Sequence, residues 1–189
     1  MFINWNSREL HIKIVYYGPP LSGKTTNLEQ LYGRLPADKR TDLVSVKTRE
    51  DRTLFFDFMQ LELGQIKGLL PKFKLYTVPG QSYYAATRKL VLRDVDGIVF
   101  VADSSVERLA ANRKAMQDMW QHLSELEQDK SVPLVLQCNK QDVPNAVKPE
   151  LLRRFLAVPD TPTFGAVAIQ SQGTAETLKH IIGQVVAQM

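Results

Sequence analysis

The run Gly18-Pro19-Pro20-Leu21-Ser22-Gly23-Lys24-Thr25 has the spacing G-x-x-x-x-G-K-T, and it lies between an apolar, β-branched stretch and a segment of helical character. A glycine-rich turn in that setting aims backbone amides at one point, a lysine adds a fixed positive charge and a threonine offers a hydroxyl. Together they suit a polyphosphate carrying Mg²⁺. Gly18, Ser22, Gly23, Lys24, Thr25 and Thr26 are the expected phosphate contacts, with Thr25 also a metal ligand. A chance glycine turn would not require a strand before it and a helix after it, and here both are predicted.

Such a loop does not choose a base. Asn139-Lys140-Gln141-Asp142 follows an apolar run ending at Cys138. Asp142 can accept two hydrogen bonds from the N1 and N2 donors of guanine, whereas adenine has no such pair and would leave the carboxylate unsatisfied. Lys140 is expected to lay its stem over the base plane and Asn139 to brace the loops. Taken alone these four residues also read as a polar turn; combined with the phosphate loop they select GTP and GDP.

Hydrolysis needs a placed water and stabilisation of developing charge. Thr77-Val78-Pro79-Gly80-Gln81 ends a predicted strand. Gly80 is free to swing its amide toward a γ-phosphate, and Gln81 can orient water by donating and accepting hydrogen bonds. In the long loop, Arg52-Thr53 immediately precedes the strand Leu54–Phe58, so both could reach the phosphates when the loop closes. Thr53 is a candidate second hydroxyl ligand of Mg²⁺, and Arg52 a candidate arginine finger supplied in cis, with Arg49 the competing choice. A solvated loop arginine is an equally good reading of Arg52 from spacing alone.

These residues need a scaffold that brings distant loops to one edge. Strands are predicted at Leu10–Tyr17, Leu54–Leu63, Phe73–Val78, Ile98–Ala102, Val132–Cys138 and Gly165–Ala168, with helical patterns near 25–35, 83–93, 106–127, 148–157 and 174–187. Such alternation predicts an α/β fold: one domain over 1–189 with a mostly parallel central sheet, helices on both faces, and ligands beyond the carboxyl ends of the strands. The short link Gly64–Lys72 implies a hairpin and so one antiparallel strand. Leu35–Thr53 has no clear period and reads as a long functional loop.

Composition excludes other classes. The chain has 189 residues, 44% hydrophobic and 23% charged, typical of a folded globular domain. A net charge of +4 is spread along the chain without a dense basic run, which argues against nucleic acid. The single cysteine, Cys138, rules out an internal disulfide or a cysteine-based zinc cluster and fits a reducing cytoplasm. No apolar run is long enough to cross a bilayer, and neither a myristoylation glycine nor a prenylation cysteine is seen, so no direct membrane anchor is expected.

With Lys13-Ile14-Val15-Tyr16-Tyr17-Gly18-Pro19, Arg52-Thr53-Leu54-Phe55-Phe56-Asp57-Phe58, Tyr76-Thr77-Val78-Pro79-Gly80-Gln81 and Asp96-Gly97-Ile98-Val99-Phe100-Val101-Ala102-Asp103 in view, the chain resembles the Ras-like small GTPases over almost its whole length, most closely the bacterial MglA family. The resemblance implies a GTP/GDP switch of P-loop NTPase fold with Mg²⁺, Arg52 as intrinsic finger and Gln81 as the water-positioning residue. It further implies a role in cell polarity or motility, a roadblock-fold partner of the MglB type that accelerates hydrolysis, and effectors that read the GTP state. Three departures are set against it. An aspartate usual in Ras-like proteins is Thr77 here, as in MglA-type chains, so the metal site is expected to lack that carboxylate. Pro20 stands where glycine is usual and removes an amide donor near the γ-phosphate. Val167-Ala168-Ile169 replaces the usual S-A-K, leaving Ala168 to offer its amide to guanine O6 and predicting weaker guanine binding. A hydrolysis-deficient, nucleotide-locked interaction module is the alternative that Pro20 keeps open.

Overall fold

Alternation along the second strand sets the architecture. Leu10, Ile12, Ile14 and Tyr16 point into one apolar cluster and Val15 and Tyr17 into another, on opposite faces of one sheet. The computed structural model describes residues 1–47, 53–62, 64–81, 84–128 and 132–189, with backbone alone for 45–47 and 53–55.

The strands are β1 (Phe2–Asn4), β2 (Glu9–Tyr17), β3 (Val44–Lys47), β4 (Thr53–Glu62), β5 (Leu70–Thr77), β6 (Gly97–Asp103), β7 (Leu134–Asn139) and β8 (Thr163–Gly165). Among the described residues they form one sheet in the order β3-β4-β5-β2-β6-β7-β8, with β1 paired to β2. From β5 to β8 every pairing is parallel, and β4 runs antiparallel to both β5 and β3. The expected antiparallel strand is therefore β4, and β1 adds a short antiparallel ribbon at the start of β2.

Helices α1 (Lys24–Arg34) and α5 (Thr174–Ala187) cover one face through Leu28, Leu31, Leu178, Ile181 and Val185. The other face is covered by α2 (Ala85–Leu92), α3 (Leu109–Glu125) and α4 (Pro149–Phe155). The stripe Met116, Met119 and Leu123 of α3 is fully in that core. Every residue of β6 and β7 is buried, as the central strands of a sheet covered on both sides require. Because β5 and β6 flank β2 on opposite sides, the chain reverses its winding direction there. The crevice beyond the carboxyl end of β2 is the natural ligand position.

Two expectations change. The segment read as one long loop contains a 3-10 turn at Ala37–Lys39 and the edge strand β3. β4 and α1 supply the order that the segment's own pattern lacks: Thr41 donates its amide to the Gln60 carbonyl of β4 at 2.9 Å, and Arg40 stacks 3.5 Å over the Tyr32 ring of α1. The last predicted strand stops at Gly165, and Ala168–Gln170 is a 3-10 turn closed by left-handed Ser171 and Gly173.

Candidate functional site: a nucleotide cradle at the carboxyl edge of the sheet

β2 ends at Tyr17, and the chain turns through 18–23 before α1 begins at Lys24. Two glycines make the turn possible. A Cβ on Gly18 would meet the Val101 carbonyl oxygen at 2.2 Å, and one on Gly23 would meet Asn139 Nδ2 at 2.2 Å, both at positive φ. Leu21 adopts the left-handed region at φ 63 without being glycine, a local strain typical of a ligand loop. The first turn of α1 carries no acidic residue, so its amides and dipole favour an anion. Lys24 Nζ bridges the loop, donating to the Gly18 carbonyl at 3.1 Å and the Pro19 carbonyl at 2.7 Å. Burial pushes its pKa down to about 7, opposed by the Asp57 carboxylate and assisted by Arg88 and Arg108. A phosphate would reverse that depression by supplying the missing counter-charge. Thr26 is half-buried on the same first turn.

Asn139 joins the guanine loop to the phosphate loop. Its Nδ2 donates to the Ser22 carbonyl and its Oδ1 accepts from the Ala168 amide, each at 2.8 Å. The bracing expected of Asn139 is thus present. The Ala168 amide, expected to face guanine O6, is here committed to Asn139. Lys140 sits at φ 65 and donates to Asp103 Oδ2 at 2.7 Å. Asp142 is exposed on the same edge. Asp103 was not among the sequence candidates, although it closes β6 in the resemblance. Burial pushes its carboxyl pKa up, but hydrogen bonds from Lys140 and Ser105 outweigh that and hold it below the ordinary value. Arg108, 3.9 Å from Asp103, donates to the Pro20 carbonyl at 2.7 Å. Asp103 therefore links the base loop, through Lys140 and Arg108, to the phosphate loop.

After β5 the chain crosses directly against this loop. A Cβ on Gly80 would lie 2.3 Å from Pro20 N and 2.4 Å from Pro20 Cα, so glycine is required for the two turns to touch. Arg88 of α2, buried at 4% exposure, donates to the carbonyls of Pro79 and Gln81 and pairs with Asp118 of α3 at 3.4 Å. Gln81 is thereby anchored through its backbone beside Pro20.

Thr77 carries no carboxylate, yet one reaches Thr25 from the neighbouring strand. Asp57 on β4, fully buried, places Oδ2 2.5 Å from Thr25 Oγ1 and 2.7 Å from Thr77 Oγ1. Its signal in the sequence was a lone acid inside Leu54–Leu63, a run otherwise apolar but for Gln60 and Glu62 at its far end. Among the described residues no group of three His, Cys, Asp or Glu could hold a metal by itself. Threonine hydroxyls backed by one carboxylate, with phosphate oxygens completing the shell, suit Mg²⁺, which keeps few protein ligands. Arg52 and Arg49 lie outside the described residues; Thr53 opens β4, and only its backbone, paired with Lys47, is described.

A family model, the ADP-ribosylation factor family, matches residues 1–185. The mutual gliding-motility protein MglA of Myxococcus xanthus is 48% identical over 189 residues, covering 100% of this chain and 97% of that protein. ADP-ribosylation factor-like protein 4D of Mus musculus is 28% identical over 180 residues, 91% of this chain and 81% of that one. Among solved structures, the Arl6 BBS3 small GTPase of Trypanosoma brucei with the nucleotide analogue GppNp aligns with a TM-score of 0.72 at 22% identity, covering 95% of this chain and 100% of that one. The phosphate loop, the guanine loop and the sheet order thus meet in a full-length relationship, and the chain belongs to the ADP-ribosylation factor family of small GTPases, as a GTP-hydrolysing member of the bacterial MglA type.

Proposed function

We propose that residues 1–189 act as one G domain that switches between GTP and GDP states, and that a roadblock-fold homodimer of the MglB type resets it. The observation that carries this reading is Asn139, whose single side chain ties the guanine loop to the phosphate loop and so couples base recognition to phosphate binding. Gly18, Ser22, Gly23, Lys24, Thr25 and Thr26 hold the phosphates; Asn139, Lys140 and Asp142 hold the base, and the Ala168 amide joins them when it turns from Asn139 Oδ1 to guanine O6. Mg²⁺, held by Thr25 and Thr53, would neutralise charge on the phosphates. Gln81 orients the attacking water, and Arg52 stabilises charge as the β–γ bond breaks.

On GTP binding, Gly80 leaves its contact with Pro20 and turns its amide toward the γ-phosphate, carrying Gln81 with it. Effectors read that arrangement. The 48% identity to a gliding-motility protein supports a part in cell polarity or motility. No described helix is long and apolar enough to cross a membrane, consistent with a cytoplasmic switch.

Single-turnover hydrolysis of GTP and ATP, alone and with a roadblock-domain homodimer, tests this reading. The expected result is slow turnover of GTP alone, acceleration by the partner, and no turnover of ATP. Arg52→Ala should lower the GTP rate by about 10³-fold while GTP affinity changes little. An unchanged rate in that variant moves the finger to Arg49 or to the partner.

A further inference from the structure

We infer that Arg108 is a positioning residue of the phosphate loop: by holding the Pro20 carbonyl it turns the Leu21 amide into the cradle, which supplies a donor that the two prolines before it lack. The inference rests on the phosphate-loop reading above and adds to it a residue from the 3-10 turn Val106–Arg108, between β6 and α3.

Geometry carries the argument. Pro19 and Pro20 have no amide hydrogen, so the first donor of the loop after Gly18 is the amide of Leu21. A trans peptide carries its C=O and N–H on opposite sides, and every described peptide bond is trans. Arg108 Nη2 donates to the Pro20 carbonyl at 2.7 Å, so the Leu21 N–H across the same peptide points away from Arg108. Among the described residues that amide donates to no protein acceptor, which leaves it for a phosphate oxygen. On the far side of Leu21 the Ser22 carbonyl is held by Asn139 Nδ2 at 2.8 Å. The loop is thus tied from outside at two carbonyls that flank Leu21, one by the guanine motif and one by Arg108.

Strain at Leu21 gives the second line of support. Its φ of 63 lies in the left-handed region, which an L residue keeps only where its surroundings impose it. Its side chain is 67% exposed, so burial does not impose it. The tie at the Pro20 carbonyl does. Arg108 is itself held in place, with Nε 3.9 Å from Asp103 Oδ2, while Asp103 Oδ1 accepts the amide and hydroxyl of Ser105 at 3.0 and 2.7 Å. The guanidinium lies close enough to the cradle for its charge to act on Lys24. A donor fixed in this way acts most strongly where charge grows as the β–γ bond breaks, so its loss should cost more in rate than in affinity for GDP.

The test is the nuclear magnetic resonance signal of the Leu21 amide in ¹⁵N-leucine-labelled protein, assigned by its absence from Leu21→Met and read with and without GDP and Mg²⁺, together with single-turnover GTP hydrolysis. In wild type the amide proton is expected to move downfield when GDP binds, as a donor to phosphate does. Arg108→Met keeps an apolar stem and removes the donors. That movement should then be lost, the hydrolysis rate should fall about 10–100-fold, and GDP affinity should fall by less, with the circular dichroism spectrum retained. Arg108→Lys keeps a charged donor for the one carbonyl and should restore the movement and most of the rate. If Arg108→Met does not fold, Arg108→Gln, neutral and shorter, takes its place. A Leu21 signal that moves as far in the Met variant as in wild type overturns the inference, and so does a wild-type signal that stays still when GDP binds. Wild-type protein that binds no GDP would instead remove the phosphate-loop reading on which the inference stands.

Discussion

Cys138 shows how a residue beside the nucleotide site is kept out of the chemistry. It precedes Asn139 on the fully buried β7, and burial, with a smaller push from Glu150, raises its thiol pKa to about 12. At pH 8 the thiolate is then only about one part in ten thousand, and thiol reagents attack the thiolate. Native protein should therefore resist a disulfide reagent such as dithionitrobenzoate at pH 8, with reaction rising steeply toward alkaline pH, while denatured protein releases one equivalent at once. Fast labelling of the native state would mean that the end of β7 opens, and with it the guanine loop. Asp103 is the contrasting case: it is equally buried, but Lys140 and Ser105 compensate its charge, so it stays ionised and useful.

Elements hold the site through a few buried polar ties laid over apolar packing. Asn27 of α1 and Gln137 of β7 exchange side-chain hydrogen bonds at 2.8 and 2.9 Å, and Gln137 also donates to Thr177 of α5 at 3.1 Å. That network fixes the first turn of α1, and hence Lys24 and Thr25, relative to the sheet. On the opposite face Arg88 ties α2 and α3 to the turn after β5. Removing the arginine frees the Pro79 and Gln81 carbonyls without touching the phosphate contacts. Arg88→Ala should lower single-turnover GTP hydrolysis by about tenfold or more, because an ångström of misplacement is enough for that if Gln81 positions the water as proposed. GDP affinity should stay near wild type. Equal losses in rate and in GDP affinity would show instead that Arg88 supports the whole cradle.

At the scale of the molecule, the contacts are contributed by the ends of β2, β5, β6 and β7 and by the turn at Ala168–Gln170. A ligand that joins all of them should stabilise the fold as a unit. At a thousand times its dissociation constant it adds about 4 kcal/mol. For a domain of this size that is a rise of about 8–16 °C in unfolding midpoint. GDP with Mg²⁺ should give such a shift in differential scanning fluorimetry and ATP with Mg²⁺ should not; equal shifts from both would remove guanine selection by the loop containing Asp142.

Much of this was legible in the residues themselves. The phosphate loop is local: its glycines, lysine and threonine act within eight consecutive positions, so spacing alone defines it. The buried strands and amphipathic helices are equally local, because side-chain periodicity follows from the backbone repeat. The edge strand β3 was not legible, since its order comes from pairing with β4 rather than from any pattern of its own. The Asp57 carboxylate escaped for a related reason. Its meaning depends on which residue faces it across two strands 20 positions apart in sequence, and on the Thr25 hydroxyl 32 positions away. The sequence determined which chemical groups the molecule carries and which segments present them. Only tertiary structure decided that the carboxylate behind Thr25 comes from β4, because strand register, unlike residue spacing, is fixed by pairing between distant parts of the chain.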